Sequence, residues 1–187
     1  MKKKILFILG TRPEAIKLAP LISHLKSNNS NFDTFVCSTG QHKEMLDQVV
    51  DFFNIKIDYD LGLMTKNQTL GQLSSKILSS LDEIIKKVKP DYIFVHGDTT
   101  TSTFSAISAF YHQITVCHVE AGLRTYNKYS PFPEEMNRSI TGRIADYHFA
   151  PTIQAKKNLI NENIHEDKIL ITGNTVIDAL FQILSRK

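Results

Sequence analysis

Short β-branched and apolar runs alternate along the chain with longer stretches whose apolar positions recur at helical spacing. Ile5, Leu6, Phe7, Ile8 and Leu9 predict a first strand that is apolar on both faces, the pattern of a central parallel strand. Pro13 suits the first turn of a helix reaching about Lys26, with Ile16, Leu18, Leu21, Ile22 and Leu25 as its apolar stripe. The same alternation predicts a strand over 32–38, a helix over 42–53, an irregular stretch over 54–67 and a helix over 70–88, closed by Pro90. A strand over 92–95, a helix over 101–111 and a strand over 115–119 follow. A polar, proline-containing segment over 122–134 then leads to a helix over 135–145, a strand over 147–149, a helix over 154–162, a strand over 168–171 and a last helix from Val176.

Strands alternating with helices predict right-handed βαβ units, hence an α/β fold of the Rossmann-like kind: a doubly wound parallel sheet covered on both faces. The 187 residues suffice for one well-filled core, and no repeat, linker or low-complexity tract divides them, so residues 1–187 are expected to form one domain.

Composition narrows the function classes. The 42% hydrophobic and 22% charged fractions are those of an ordinary globular chain. The net charge of +3 is spread out: Lys2 to Lys4 form a short run, and Lys86, Lys87 and Lys89 complement the C-terminal dipole of a helix, so no nucleic-acid partner is expected. The first apolar run is too short for a signal peptide and is followed at once by a Gly-Thr-Arg-Pro turn. No apolar stretch approaches the length of a membrane span. Cys37 and Cys117 fall inside predicted buried strands and suggest no disulfide framework, which points to the cytoplasm.

In an open parallel sheet, ligands bind beyond the carboxyl ends of the strands. Here those ends read Gly10-Thr11-Arg12, Thr39-Gly40-Gln41-His42, His96-Gly97-Asp98-Thr99 and His118-Val119-Glu120-Ala121-Gly122, glycines beside ionisable or amide side chains at four successive positions. Glycine lets the backbone approach a ligand or take a positive φ, and the helix that follows presents free N–H groups to an anion. The sequence has neither the Gly-x-Gly-x-x-Gly spacing of dinucleotide folds nor a Walker-type lysine loop, and its seven histidines show no metal-ligand spacing. Neither a nucleotide cofactor nor a metal is expected.

Each of these residues also has a purely structural reading. Asp98, followed by three threonines and a serine, could serve only as a helix N-cap. Glu120 leaves an apolar strand and needs a partner, for which Arg124 or Arg138 is available. Glu134 and Glu135 follow Pro133 at a helix start, where acidic residues are favoured on electrostatic grounds. His96 and His118 flank buried strands and read as hydrogen-bonded interior residues. Lys17, taken alone, is a solvated helix residue.

Taken together, the blocks GTRPEAIKLAP (10–20), GQHKEMLDQV (40–49), HGDTTTS (96–102), HVEAGLRT (118–125), SPFPEEMNR (130–138) and TGNTVIDAL (172–180) resemble the signature blocks of the non-hydrolysing UDP-N-acetylglucosamine 2-epimerases across essentially the whole chain. The hydrolysing epimerases usually differ at the first and fourth of these blocks. The resemblance implies the N-terminal half of a GT-B-type pair of Rossmann-like domains with the active site in the cleft between them. It also implies an isomerase that interconverts UDP-N-acetylglucosamine and UDP-N-acetylmannosamine for surface polysaccharides, without a cofactor. UDP leaves C1 as the C2 proton departs, giving a 2-acetamidoglucal, and UDP then adds back with C2 inverted. By motif position, Asp98, Glu120 and Glu134 would be the catalytic carboxylates, while Arg12, Lys17, Arg138 and His96 would face the substrate. Gln41 and His42 match residues that hold an allosteric molecule of the UDP-sugar; where some members carry an arginine in that subsite, this chain has Asn67.

The resemblance further implies a homodimer formed through helices of the first domain. Members of the family are about twice this length, and their second, UDP-binding domain is absent from residues 1–187, so the chain alone is expected to fold without appreciable epimerase activity. A non-catalytic module that binds a UDP-sugar or a partner is the alternative from another class, and a glycosyltransferase-like domain of the same fold is a third, disfavoured by the epimerase-specific blocks.

Overall fold

The computed structural model describes residues 2–40 and 43–185. Strand β1 (Lys3–Leu9) lies in the interior of its sheet, and its successive side chains enter two different cores. Ile5, Phe7 and Leu9 pack with Leu18 and Ile22 of α1 (Arg12–Ser27), Val36 of β2 (Phe32–Ser38) and Val49 of α2 (Lys43–Phe52). Leu6 and Ile8 point the other way, towards Ile77 and Leu81 of α3 (Leu70–Val88), Ile93 and Val95 of β4 (Tyr92–His96) and Ala106 and Ala109 of α4 (Thr100–Tyr111). Alternate side chains of a strand project to opposite faces, so a strand buried on both must be apolar throughout, as this one is.

Beyond α4 come β5 (Thr115–Val119), α5 (Glu134–Ile144), β6 (Tyr147–Ala150), α6 (Ile153–Asn161), a short 3-10 turn (Glu166–Lys168), β7 (Ile169–Ile171) and α7 (Val176–Leu184). With β3 (Tyr59–Asp60) they complete a seven-stranded, wholly parallel sheet in the order β3-β2-β1-β4-β5-β6-β7. The order reverses between β1 and β4, and adjacent chains diverge at the carboxyl ends of those two strands, opening a crevice there.

The elements follow the sequence pattern closely, with three departures. The stretch read as irregular contains β3, whose two residues pair with Cys37 and Ser38 and are too few to show a period of their own. The strand expected from Lys168 begins at Ile169, because Lys168 closes the 3-10 turn. Helix α4 is capped by Thr99, whose side chain accepts the Ser102 N–H, so Asp98 is not its N-cap. As expected, helix α1 runs through Pro20 without ending, its buried Leu18, Ala19 and Ile22 holding it against the sheet where a solvated proline would break it.

One groove of about 650 Å3 lies between α1 and α7, with Pro20, Leu21 and Leu25 on one wall, Phe181 on the other, and Phe94 and Phe149 stacked 6.0 Å apart at its floor. No helix among the described residues is long and apolar enough to cross a membrane. Cys37 and Cys117 are free and buried, their thiols pushed up to about 12 by that burial.

Gly10 follows β1 where the chain passes closest to α4. A Cβ there would fall on Thr101 Oγ1, well inside van der Waals contact, and 2.9 Å from Thr39 Oγ1. Gly10→Ala is therefore expected to lower unfolding free energy by about 1–3 kcal/mol, the usual cost of overpacking, measured as a fall in urea midpoint at unchanged m-value. A midpoint equal to the wild type would show that the two threonines move aside freely.

Candidate active site

The loop that leaves β1 and the loop that leaves β4 are tied together by one buried carboxylate. Glu14, 1% exposed, sits in the first turn of α1 and reaches back so that Oε2 accepts the N–H groups of Gly10 (2.8 Å) and Thr11 (2.6 Å). Its Oε1 accepts the Thr99 hydroxyl at 2.7 Å and lies 3.0 Å from the Ser102 hydroxyl, across the crevice. Ser102 Oγ is also in close contact with the carbonyl oxygen of His96. Burial pushes the Glu14 carboxyl above its ordinary range, against the pull of these donors. The signal for this role in the sequence is Thr11-x-x-Glu14, the spacing of a capping box.

On this frame the charged residues form two groups. In the first, Lys17 donates to Glu120 Oε1 at 2.6 Å, Asn174 Nδ2 donates to the same oxygen at 3.1 Å, and His96 Nε2 stands 3.3 Å from Glu120 Oε2 without hydrogen-bonding to it. Neither Arg124 nor Arg138 is the partner of Glu120. Arg124 turns away to a bidentate pair with Glu162, both contacts 2.7 Å, and Arg138 faces Asp98. Lys17 is correspondingly no solvated residue: its side chain is 22% exposed and its charge is spent on Glu120.

Glu120 itself has a φ of 62°, left-handed for a side chain that rarely adopts it, at a cost on the order of 1–3 kcal/mol. The kink turns its carboxylate from the end of β5 towards α1, and Ala121 then resumes contact with β6 through its N–H to Phe149 O at 3.0 Å.

In the second group, Arg138 Nη2 holds Asp98 Oδ2 at 2.7 Å, and its Nε lies 3.6 Å from Glu135. Burial raises the Asp98 carboxyl, Arg138 opposes the rise, and the neighbouring Glu120 and Glu134 charges add to it. Three carboxylates therefore share one field. Glu134 is half-buried and its Oε2 is buried without a hydrogen-bond partner. Glu135 is the structural member of the pair, accepting the Thr125 and Tyr126 N–H groups and so fixing the loop that precedes α5. Burial opposes its charge, but those donors and Arg138 outweigh it and hold its carboxyl below the usual value.

Arg12 is exposed and has no partner among the described residues. Gln41 and His42 lie outside the described residues. No group of three or more His, Cys, Asp or Glu among the described residues is placed to hold a metal ion.

The matching family model, UDP-N-acetylglucosamine 2-epimerase, covers residues 24–187. The chain belongs to the UDP-N-acetylglucosamine 2-epimerase family. A relative from Bacillus subtilis (strain 168) with that name is 59% identical over 181 residues, which are 96% of this chain and 47% of the relative. Another, from Salmonella borreze, is 57% identical over 177 residues, 95% of this chain and 47% of its own. The crystal structure of the Neisseria meningitidis UDP-GlcNAc 2-epimerase bound to UDP-GlcNAc superposes with a TM-score of 0.94 at 52% identity, over 98% of this chain and 50% of that one. The chain thus spans about half the length of the curated relatives it matches, and its Rossmann-like sheet corresponds to half of a GT-B-type epimerase.

Three imidazoles beneath the site are held neutral. Burial lowers His96 to about 3, with the Lys17 charge assisting. It lowers His118 to about 3 and His148 to about 4. His118 Nε2–H donates to the Gly97 carbonyl at 2.7 Å, which fixes its tautomer. With folded values below the unfolded one, the stability these groups support is complete above pH 6.5 and is lost as pH falls towards about 4 for His148 and about 3 for His96 and His118. Each contributes a loss of about 2 kcal/mol by pH 5. Glu14 and Asp98, raised by burial, act in the opposite direction over the lower part of that window. The expected net outcome is a lower urea midpoint at pH 5 than at pH 7. An unchanged midpoint would mean that the folded protein accepts the protons.

Proposed function

We propose that this chain supplies the carboxylate-bearing half of a site that interconverts UDP-N-acetylglucosamine and UDP-N-acetylmannosamine. The observation that carries the reading is Glu120: a carboxylate turned by a left-handed backbone onto the crevice edge, paired to Lys17, and sharing its field with Asp98 and Glu134. The C2 proton of the sugar is not acidic, so its removal has to be coupled to departure of UDP from C1. One carboxylate accepts that proton while the C1–O bond breaks and the C1=C2 double bond of the glucal forms. In the return step UDP re-forms its bond to C1 and a second carboxylate delivers a proton to C2 from the opposite face. Asp98, Glu120 and Glu134 are the groups for these transfers.

Arg138 holds Asp98 in place, and His96, buried behind Glu120, acts through it. Of the three cations Arg12, Lys17 and Arg138, Arg12 is the one with no carboxylate partner among the described residues, and it is the group for the departing diphosphate. The remaining uridine and diphosphate contacts belong to a second domain, for which the greater length of the relatives leaves room. A cytoplasmic location accords with the two unpaired, buried cysteines.

The test is a coupled assay of UDP-N-acetylmannosamine formation, run on this chain alone and mixed with a separately expressed second half of a relative. Turnover is expected only in the mixture, and Glu120→Gln is expected to lower it by at least about a hundredfold. Activity that survives Glu120→Gln would overturn the reading.

A further inference from the structure

The turn between β7 and α7 brings to Glu120 a side chain that the proposed reaction has not yet used. Asn174 Oδ1 accepts the N–H of Val176, the first residue of α7, at 3.1 Å. An amide whose oxygen is occupied in this way presents its nitrogen on the other side, and Nδ2 donates to Glu120 Oε1 at 3.1 Å. Lys17 donates to that same oxygen at 2.6 Å, so Oε1 carries two donors. Oε2 accepts no hydrogen bond from the described residues; the nearest polar group is His96 Nε2 at 3.3 Å, itself buried and unpaired. The titratable and charged groups facing Glu120 are Lys17 from α1, His96 from β4 and Asp98 from the turn after β4.

We propose that Asn174 is a positioning residue for Glu120: with Lys17 it saturates Oε1 and leaves Oε2 as the oxygen through which Glu120 makes its proton transfer. This role rests on the epimerase reading above. It also couples the start of α7 to the site, because one amide both anchors that helix and orients the carboxylate. His96 Nε2 then lies where a proton on Oε2 would find an acceptor, which favours the protonated form during the half of the cycle in which Glu120 carries it.

Two substitutions separate the parts of this role. Asn174→Ser retains an acceptor for the Val176 N–H but is too short to reach Glu120, and Asn174→Asp retains the acceptor but sets a like charge against the carboxylate. In the complemented assay, the serine variant is expected to lower kcat about tenfold and the aspartate variant about a hundredfold, with KM within about twofold of the wild type in both. A wild-type kcat in both variants would overturn the proposal. A second measurement needs no turnover. In the NMR spectrum of the 187-residue chain, Glu120→Gln is expected to move the side-chain amide resonances of Asn174 while the Val176 N–H stays in place. Unmoved amide resonances would overturn the contact and leave the epimerase reading standing. Absence of turnover in the complemented wild type would overturn the epimerase reading and the catalytic role together, with the amide signal still deciding whether Asn174 holds Glu120.

Discussion

The geometry of the crevice depends on the Glu14 carboxylate. Two loops that leave neighbouring strands in opposite directions have no backbone ladder to bind them, yet Arg12 follows one and Asp98 lies in the other. Glu14 spans the gap by accepting two N–H groups from its own loop and the Thr99 hydroxyl from the facing one. Each such bond to a charged acceptor contributes about 1.5–3 kcal/mol, and a buried N–H left without one costs about as much. Those donors offset much of the penalty for burying the charge without cancelling it, which is why the carboxyl, 1% exposed, stays above its ordinary range. Gly10 is required by the same closeness, since the loop that Glu14 draws in leaves no room for a side chain against Thr101.

Charge in the site is largely balanced before any ligand arrives. Lys17 meets Glu120, and Arg138 meets Asp98, in short contacts formed by side chains mostly withdrawn from water. Such pairs do little for stability, because desolvation offsets most of their attraction. What they do is hold direction. The left-handed backbone at Glu120 and the two donors on its Oε1 fix where the carboxylate points, and the imidazole of His96, held neutral, stands behind its Oε2.

The layers of the fold were legible because β1 is apolar on both faces and because each helix carries its stripe at the right spacing. The short β3 was not, since two residues show no period and acquire strand geometry only by pairing with β2. Asp98 and Thr99 illustrate a subtler limit. A run of Asp, Thr, Thr, Thr and Ser offers several acceptable caps, and local rules do not choose among them. The choice falls to Thr99 because its hydroxyl can accept from Ser102 and donate to Glu14 at once, a requirement set 85 residues away. Lys17 as partner of Glu120 was hidden for the same reason: 103 residues separate the two, and only the packing of α1 over the reversal point brings them together. Asn174 lay inside a recognised block, but its amide acquires its task only once α7 is in place.

The groove between α1 and α7 bears on how this protein reports its own unfolding. The chain has six tyrosines and no tryptophan, so its intrinsic fluorescence is weak and an extrinsic dye is the natural probe. Amphiphilic dyes such as anilinonaphthalene sulfonate light up on apolar surface, and their emission is commonly taken as the mark of a loosened, molten interior. Here the native state already offers such surface: a groove of about 650 Å3 floored by Phe94 and Phe149, beside an α7 whose Ile177, Leu180 and Phe181 are exposed. Bright dye at neutral pH would thus belong to the intact fold.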